Sequence, residues 1–339
     1  MAPASGGATR RVFEEAAVST APLQGRRVAV LGYGNQGRAH ALNLRDSGIA
    51  VVVGARAEGI GAAAARADGF APVPLAEAAA AADVVMLLVP DEAQAGVWTG
   101  GVAGHLGPGA ALGFAHGFAV AFGLIAPPPG HGCFLAAPKG QGGMLREAYV
   151  RGGGLPGLLA VADASPPGTW ELAAAYAKAA GFLRGGGWAT TFREECVTDQ
   201  FGEQAVLCGG LVELIRAAFE TLVDRGYAPQ NAYFECVHEV KLIADLLHRH
   251  GVDGLQRLIS PTAAYGGATR GPRVIGAASR RAMADLLDEI ESGAFAREFL
   301  EACARRGAGR DGRAAAEAES ALARTGRELR ARLEALGLE

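Results

Sequence analysis

Residues 27–54 read RVAVLGYGNQGRAHALNLRDSGIAVVVG. The run opens on a short apolar stretch, RVAVL (27–31), of the length and composition of a buried strand. Gly32-Tyr33-Gly34-Asn35-Gln36-Gly37 follows directly. An amphipathic helical segment, RAHALNLRDSG, then closes at Gly48, a natural helix stop. A second apolar strand, AVVVG (50–54), completes the unit. A strand, a glycine turn, a helix and a strand bring backbone N–H groups to a helix N-terminus, where a pyrophosphate binds. The order of elements carries this reading, because glycine is 50 of 339 residues. In so glycine-rich a chain three fixed glycines match by accident about once.

Working outward, the end of the second strand selects the cofactor. Asp or Glu there suits a ribose 2′-hydroxyl, whereas an arginine suits a 2′-phosphate. Arg56 stands near that point, so NADP is expected; Glu58, two residues on, keeps NAD open. Arg38 opens the first helix and has two readings, a phosphate contact or a solvent-facing charge. Further apolar runs at 82–91, 109–117, 132–140 and 157–164 alternate with Ala-rich helical stretches. This pattern predicts a doubly wound parallel sheet. Ligands of such sheets lie beyond the strands' carboxyl ends, and Asp91, His116 and Lys139 fall at three of them.

From about Thr191 the strand signal stops and helical periodicity takes over, at 192–226, 230–250, 277–291, 293–305 and 313–336. A glycine run at 185–187 marks the expected boundary between domains at 10–190 and 191–336. LISPTAAYGGATRGPRV (258–274) reads as a long functional loop. Two apolar helices each carry a carboxylate pair four residues apart, Asp199 with Glu203 and Glu235 with Glu239. Such residues share a helix face. Carboxylates clustered on apolar surface need a counter-charge, and a hard divalent cation such as Mg²⁺ supplies one through oxygen ligands. Four of them predict a site for one or two metal ions.

Together these pieces resemble ketol-acid reductoisomerase (acetohydroxy-acid isomeroreductase), in the short form with one C-terminal domain. The resemblance runs from about Val12 to Leu336 and rests on GYGNQGRAHALNLRDSG, ADVVMLLVPDE, FAHGF, APKGQG, TDQFGEQAVLCGG, YFECVHEVKLI, SPTAAYG and GPRVI, in that order. It implies a Rossmann-type α/β N-terminal domain and an all-α, knotted, dimer-forming C-terminal domain. It also implies alkyl migration in a 2-acetohydroxy acid such as 2-acetolactate, then reduction by NADPH to a 2,3-dihydroxy acid on the way to valine or isoleucine. By the same resemblance, Asp199 bridges two Mg²⁺ ions. Glu203 ligates one of them and relays a proton. Glu235 and Glu239 serve the second ion and the substrate from the partner subunit, and Ser260 binds the substrate carboxylate. His116 and Lys139 are matched to polar groups beside the nicotinamide and the metal waters. Gly32, Tyr33, Gly34, Asn35, Gln36, Gly37, Arg56, Asp91, Glu92, Ala93, Gln94 and Gly142 fall on cofactor contacts. The chain departs from the family's pattern at Gly59 and Gly61, where serines commonly grip the 2′-phosphate, at Asn35 and Arg38 in the glycine turn, and at Ala264.

Composition narrows the field. With 32 basic and 35 acidic residues the net charge is −3, which leaves no nucleic-acid footprint. Neither a spanning apolar run nor a signal-type leader is expected. Five dispersed cysteines without a CxxC pair fit reduced thiols in a cytoplasmic protein. Three alternatives stay open: a hydroxy-acid dehydrogenase that does not isomerise, an inactive cofactor-binding relative, and the same chemistry on a secondary-metabolite substrate. The first needs no set of four carboxylates.

Overall fold

A computed structural model describes residues 11–306 and 317–337. The chain divides into two compact units between Thr198 and Asp199.

The first unit is built on one eight-stranded sheet. Its strands are β1 (Val12–Phe13), β2 (Arg27–Leu31), β3 (Ala50–Gly54), β4 (Val84–Leu87), β5 (Ala111–Phe114), β6 (Cys133–Pro138), β7 (Gly157–Val161) and β8 (Gly187–Ala189), in the order β1-β8-β7-β6-β5-β4-β2-β3. Alternation along the strands fills two cores. Val28 and Val30 of β2 face one side with Leu44, Phe134 and Tyr176. Ala29 and Leu31 face the other with Leu87, Leu112 and Phe114. Helices Asn35–Asp46 and Thr169–Ala179 cover the first side, and helix Leu75–Ala80 with the turn Trp98–Val102 covers the second. Burial on both faces is what makes these strands continuous apolar runs in the sequence.

The sheet is mixed, which corrects the expectation of a purely parallel one. β3, β2, β4, β5 and β6 run parallel, as do β7 and β8. β7 pairs antiparallel with β6 from Phe134↔Val161 to Pro138↔Gly157, and β1 pairs antiparallel with β8. A buried strand is apolar in either direction, so composition identified β7 without its sense. β1 and β8 are two and three residues long, too short to show a period.

The second unit is helical, with a small core of Phe219, Ala232, Tyr233 and Leu329. Helices Ala277–Glu291 and Ala294–Arg306 lie where the periodicity places them; of the single helix expected over 313–336, residues 313–316 lie outside the described residues, and the helix breaks at 319–320 before helix Ala321–Ala335, which Ser320 caps. Two features differ from expectation. The two helices with carboxylate pairs are interrupted by π-helical turns at Glu203–Leu207 and Phe234–His238. Such turns recur at functional sites. Around Glu235 and Glu239 the wider turn shifts the four-residue stacking assumed for a plain α-helix. The second difference is in 258–274, which is a helix over Pro261–Val274 rather than a loop. Ser260 is its N-cap, its hydroxyl accepting from the Ala263 amide at 3.1 Å, and Pro261 fills the first helical position. Among the described residues no helix is long and apolar enough to cross a membrane.

Candidate active site

The glycine turn is shaped by close approaches. Gly32 has φ +97°, and a Cβ there would lie 2.8 Å from the Leu88 carbonyl oxygen. At Gly37 a Cβ would meet the Gly32 carbonyl at 2.0 Å, whereas Gly34 faces open space. Gly34 caps helix Asn35–Asp46 without a side chain, which leaves the first-turn amides facing that opening. Tyr33 and Gln36 anchor the rim. Gln36 donates from Nε2 to the Gly140 carbonyl at 2.9 Å. A Cβ on Gly142 would stand 2.0 Å from the Asn35 carbonyl, so the loop after β6 packs directly on the turn.

Asp91, Glu92, Ala93 and Gln94 form the start of helix Asp91–Val97, just past the carboxyl end of β4. Gln94 donates to Asp91 Oδ1 at 3.0 Å and to the Val89 carbonyl at 3.2 Å. Among the described residues the side-chain oxygens of Gln36 and Gln94 are buried without a hydrogen-bond partner. Buried acceptors call for donors. Orphaned acceptors beside an open glycine cradle fit a bound dinucleotide. Arg56 follows β3 with its side chain exposed, and among the described residues no ion pair engages it.

His116, after β5, and Lys139, after β6, converge on a residue that sequence reasoning missed. Glu195, in helix Phe192–Gly202, has a side chain only 1% exposed. Its Oε1 accepts from Lys139 Nζ at 2.7 Å. Its Oε2 lies 3.1 Å from His116 Nδ1 and accepts from the Gly117 amide at 2.8 Å. A Cβ at Gly117 would sit 2.2 Å from the Phe192 carbonyl, so glycine lets the helix start press onto the end of β5. A carboxylate only accepts, so His116 Nδ1 carries a proton toward Glu195. Burial works against charge on both Glu195 and His116. The facing charges and hydrogen bonds outweigh it, lowering the Glu195 pKa and raising that of His116. The one signal for Glu195 in the sequence is its place four residues before Asp199, one helical turn away.

The remaining candidates lie in the second unit. Asp199 is half-buried, and Glu203, Glu235 and Glu239 are exposed. Among the described residues Glu203, Glu235 and Glu239 belong to no group of three potential ligands closing within 4.8 Å. Among the described residues, Asp199, Glu203, Glu235 and Glu239 do not together form such a group. Ser260 is held as a helix cap, its hydroxyl proton still a donor. The Arg38 guanidinium does not face solvent unengaged; it grips Asp68.

Residues 22–186 match the acetohydroxy acid isomeroreductase NADPH-binding domain, and residues 192–335 match the ketol-acid reductoisomerase C-terminal domain. The chain belongs to the ketol-acid reductoisomerase family. It is similar to an NADH-preferring ketol-acid reductoisomerase from an uncultured archaeon, with 39% identity and a TM-score of 0.89 over 94% of this chain and 98% of that one. Two more distant structures share the fold alone. An NAD-binding semialdehyde dehydrogenase protein from Cupriavidus necator is 20% identical, with a TM-score of 0.60 over 79% of this chain and 99% of that one. A putative oxidoreductase from Jannaschia sp. is 17% identical, with a TM-score of 0.58 over 78% and 97%. Membership makes the chain an oxidoreductase and isomerase of the ketol-acid reductoisomerase type, using a nicotinamide cofactor and a small-molecule substrate. A dehydrogenase that does not isomerise is not favoured, since both halves match reductoisomerase domains.

Proposed function

We propose that the chain rearranges and reduces 2-acetolactate or its ethyl homologue at a site completed by Mg²⁺ and a second subunit, with NADPH modestly preferred over NADH. The observation that carries the reading is the Glu195 carboxylate, buried and shared by His116 and Lys139 at the sheet's carboxyl edge beside the glycine cradle.

In the first step the 2-hydroxyl loses its proton, and Glu203 is the assigned acceptor. The alkyl group carries its bonding pair from C2 to the neighbouring carbonyl carbon. C2 becomes a carbonyl, and the old carbonyl oxygen gains a proton. Glu195 holds the Lys139 ammonium and the His116 ring in place, so their positive charge faces the oxygens that become anionic without reorganising. In the second step hydride reaches C2 and a proton its oxygen, with the His116 imidazolium assigned to supply that proton. Asp199, Glu203, Glu235 and Glu239 offer carboxylate oxygens only, a donor set suited to Mg²⁺. Bound there, Mg²⁺ would polarise the two vicinal oxygens and offset alkoxide charge.

Two observations support a shared site. Among the described residues, the four carboxylates form no group of ligand atoms within 4.8 Å of one another. The second unit also exposes large apolar side chains, among them Leu207, Leu211, Leu242 and Leu247, of the kind that an interface between subunits covers. For the cofactor, Arg56 supplies a charged fork for a 2′-phosphate. The missing hydroxyls at Gly59 and Gly61 keep the preference small.

Asp199→Asn tests the assignment. Turnover of 2-acetolactate should vanish while NADPH affinity stays within about twofold, because the dinucleotide is assigned to the first unit. Mixing this variant with Glu235→Gln chains under subunit exchange should restore activity. Full turnover by Asp199→Asn would sink the metal assignment, and failed complementation despite proven exchange would sink the shared site.

A further inference from the structure

Asp68 lies at the end of helix Ile60–Ala67, outside every motif singled out above. Its carboxylate accepts three hydrogen bonds. Arg38 grips it as a fork, with Nε to Oδ2 at 2.6 Å and Nη2 to Oδ1 at 2.9 Å. The Tyr33 hydroxyl donates to Oδ2 at 2.9 Å. Arg45 reaches the same residue from two turns further along its helix, donating to the Asp68 carbonyl at 2.6 Å. Arg45 also lies over the Phe70 ring, which stands edge-on to Tyr33. These hydrogen bonds and the neighbouring positive charges outweigh the burial that would raise the Asp68 pKa, holding it down to about 2.

Helix Ile60–Ala67 begins at the turn after Arg56, where the ribose 2′ position is read, and ends at Asp68. Tyr33 belongs to the glycine turn, where the pyrophosphate sits. It touches this helix twice. Near the helix start, a Cβ on Gly61 would lie 3.2 Å from the Tyr33 carbonyl. At the helix end the Tyr33 hydroxyl reaches Asp68. The phenol is 5% exposed, so it acts as a strut between two segments that must contact the same ligand. A dinucleotide's pyrophosphate and adenosine ribose are covalently linked, so the turn that binds one and the turn that reads the other must be held in register.

We propose that Asp68 is a positioning residue for the dinucleotide: by holding Tyr33 and Arg38 it sets the glycine turn against the ribose-reading turn. Arg38 is committed to this clamp and reads no phosphate. The inference rests on the dinucleotide reading of the glycine turn.

The test is direct binding of NADPH and NADH, followed by fluorescence titration without Mg²⁺ or substrate, to wild type, Asp68→Asn and Tyr33→Phe. Asp68→Asn should weaken both dinucleotides by one common factor, roughly tenfold for loss of a charge-assisted cluster. Its kcat at saturating cofactor and its KM for 2-acetolactate should stay within about twofold. Tyr33→Phe, which deletes one hydroxyl, should weaken both by a smaller common factor, and it carries the test if Asp68→Asn does not fold. Unchanged affinities overturn the proposal. So does an equal loss in kcat and in both KM values, the mark of a purely structural residue. A shift in NADPH affinity alone would make Arg38 or Tyr33 a phosphate reader and overturn it as well. Wild type that binds neither dinucleotide would remove the cofactor reading and this one with it, whereas tight binding by wild type and variants alike removes only this one.

Discussion

Lys139 and Glu195 meet at 2.7 Å although 56 residues separate them, and Glu195 brings His116 to the same carboxylate. Replacing Glu195 by Gln keeps its shape and removes its charge. Lys139 would then lose its counter-ion and His116 its orienting acceptor. The expected result is a fall in kcat of about a hundredfold or more, with dinucleotide affinity within about twofold. Steady-state kinetics and cofactor titration on the same preparation check it.

His40 predicts a pH dependence of stability unrelated to catalysis. It is fully buried, its Nδ1 is 2.7 Å from the Tyr176 hydroxyl, and burial lowers its pKa from 6.5 to about 4. The folded state therefore keeps the ring neutral where the unfolded chain binds a proton. The contribution is fully present above about pH 6.5 and is lost as pH falls toward 4, about 3 kcal/mol at most. Urea unfolding at pH 7, 6, 5 and 4 should show this loss. His40→Gln, which cannot titrate, should show a shallower fall over the same window.

Gly142→Ala places a methyl where the Asn35 carbonyl stands 2.0 Å away. The glycine turn must shift to admit it. Dinucleotide Kd should rise by roughly tenfold or more, by the argument that small displacements of a positioning element are costly, and Tm should fall. Gly143→Ala, with open space around it, is the matched control and should change neither by much.

The cofactor preference rests on Arg56. Arg56→Ala should lower kcat/KM for NADPH about tenfold, the scale of one charged hydrogen-bond partner, and leave NADH nearly unchanged. Gly59→Ser should act the other way. Gly59 is the N-cap of helix Ile60–Ala67 with ordinary extended dihedrals, so serine there adds a phosphate donor and a better cap, worth a few tenths of a kcal/mol in stability. An unchanged NADPH/NADH ratio in Arg56→Ala would count against NADPH.

What the sequence revealed, and what it hid, follows from the range of the interactions. The β2–helix–β3 unit was legible because its signals are local: an apolar run, glycines at a turn, a helix stop at Gly48. Ser260-Pro261 was an equally local start signal for helix Pro261–Val274, but the glycines, threonine and Pro272 beyond it obscured the helix. The direction of β7 was not legible, because a buried strand carries no sign of its sense. Glu195 and Asp68 were missed for a common reason. Each owes its importance to partners more than 20 residues away, and one sequence shows a carboxylate without showing which cations the fold brings to it. Arg38 could be read as phosphate-binding or solvated until Asp68 appeared opposite it.

The most direct measurement is turnover of 2-acetolactate by the purified chain, following nicotinamide oxidation and product identity together, with and without Mg²⁺. The expected result is Mg²⁺-dependent formation of the rearranged 2,3-dihydroxy acid, with one dinucleotide oxidised per product. Metal-independent turnover, or reduction of 2-acetolactate without migration of its methyl group, would contradict it.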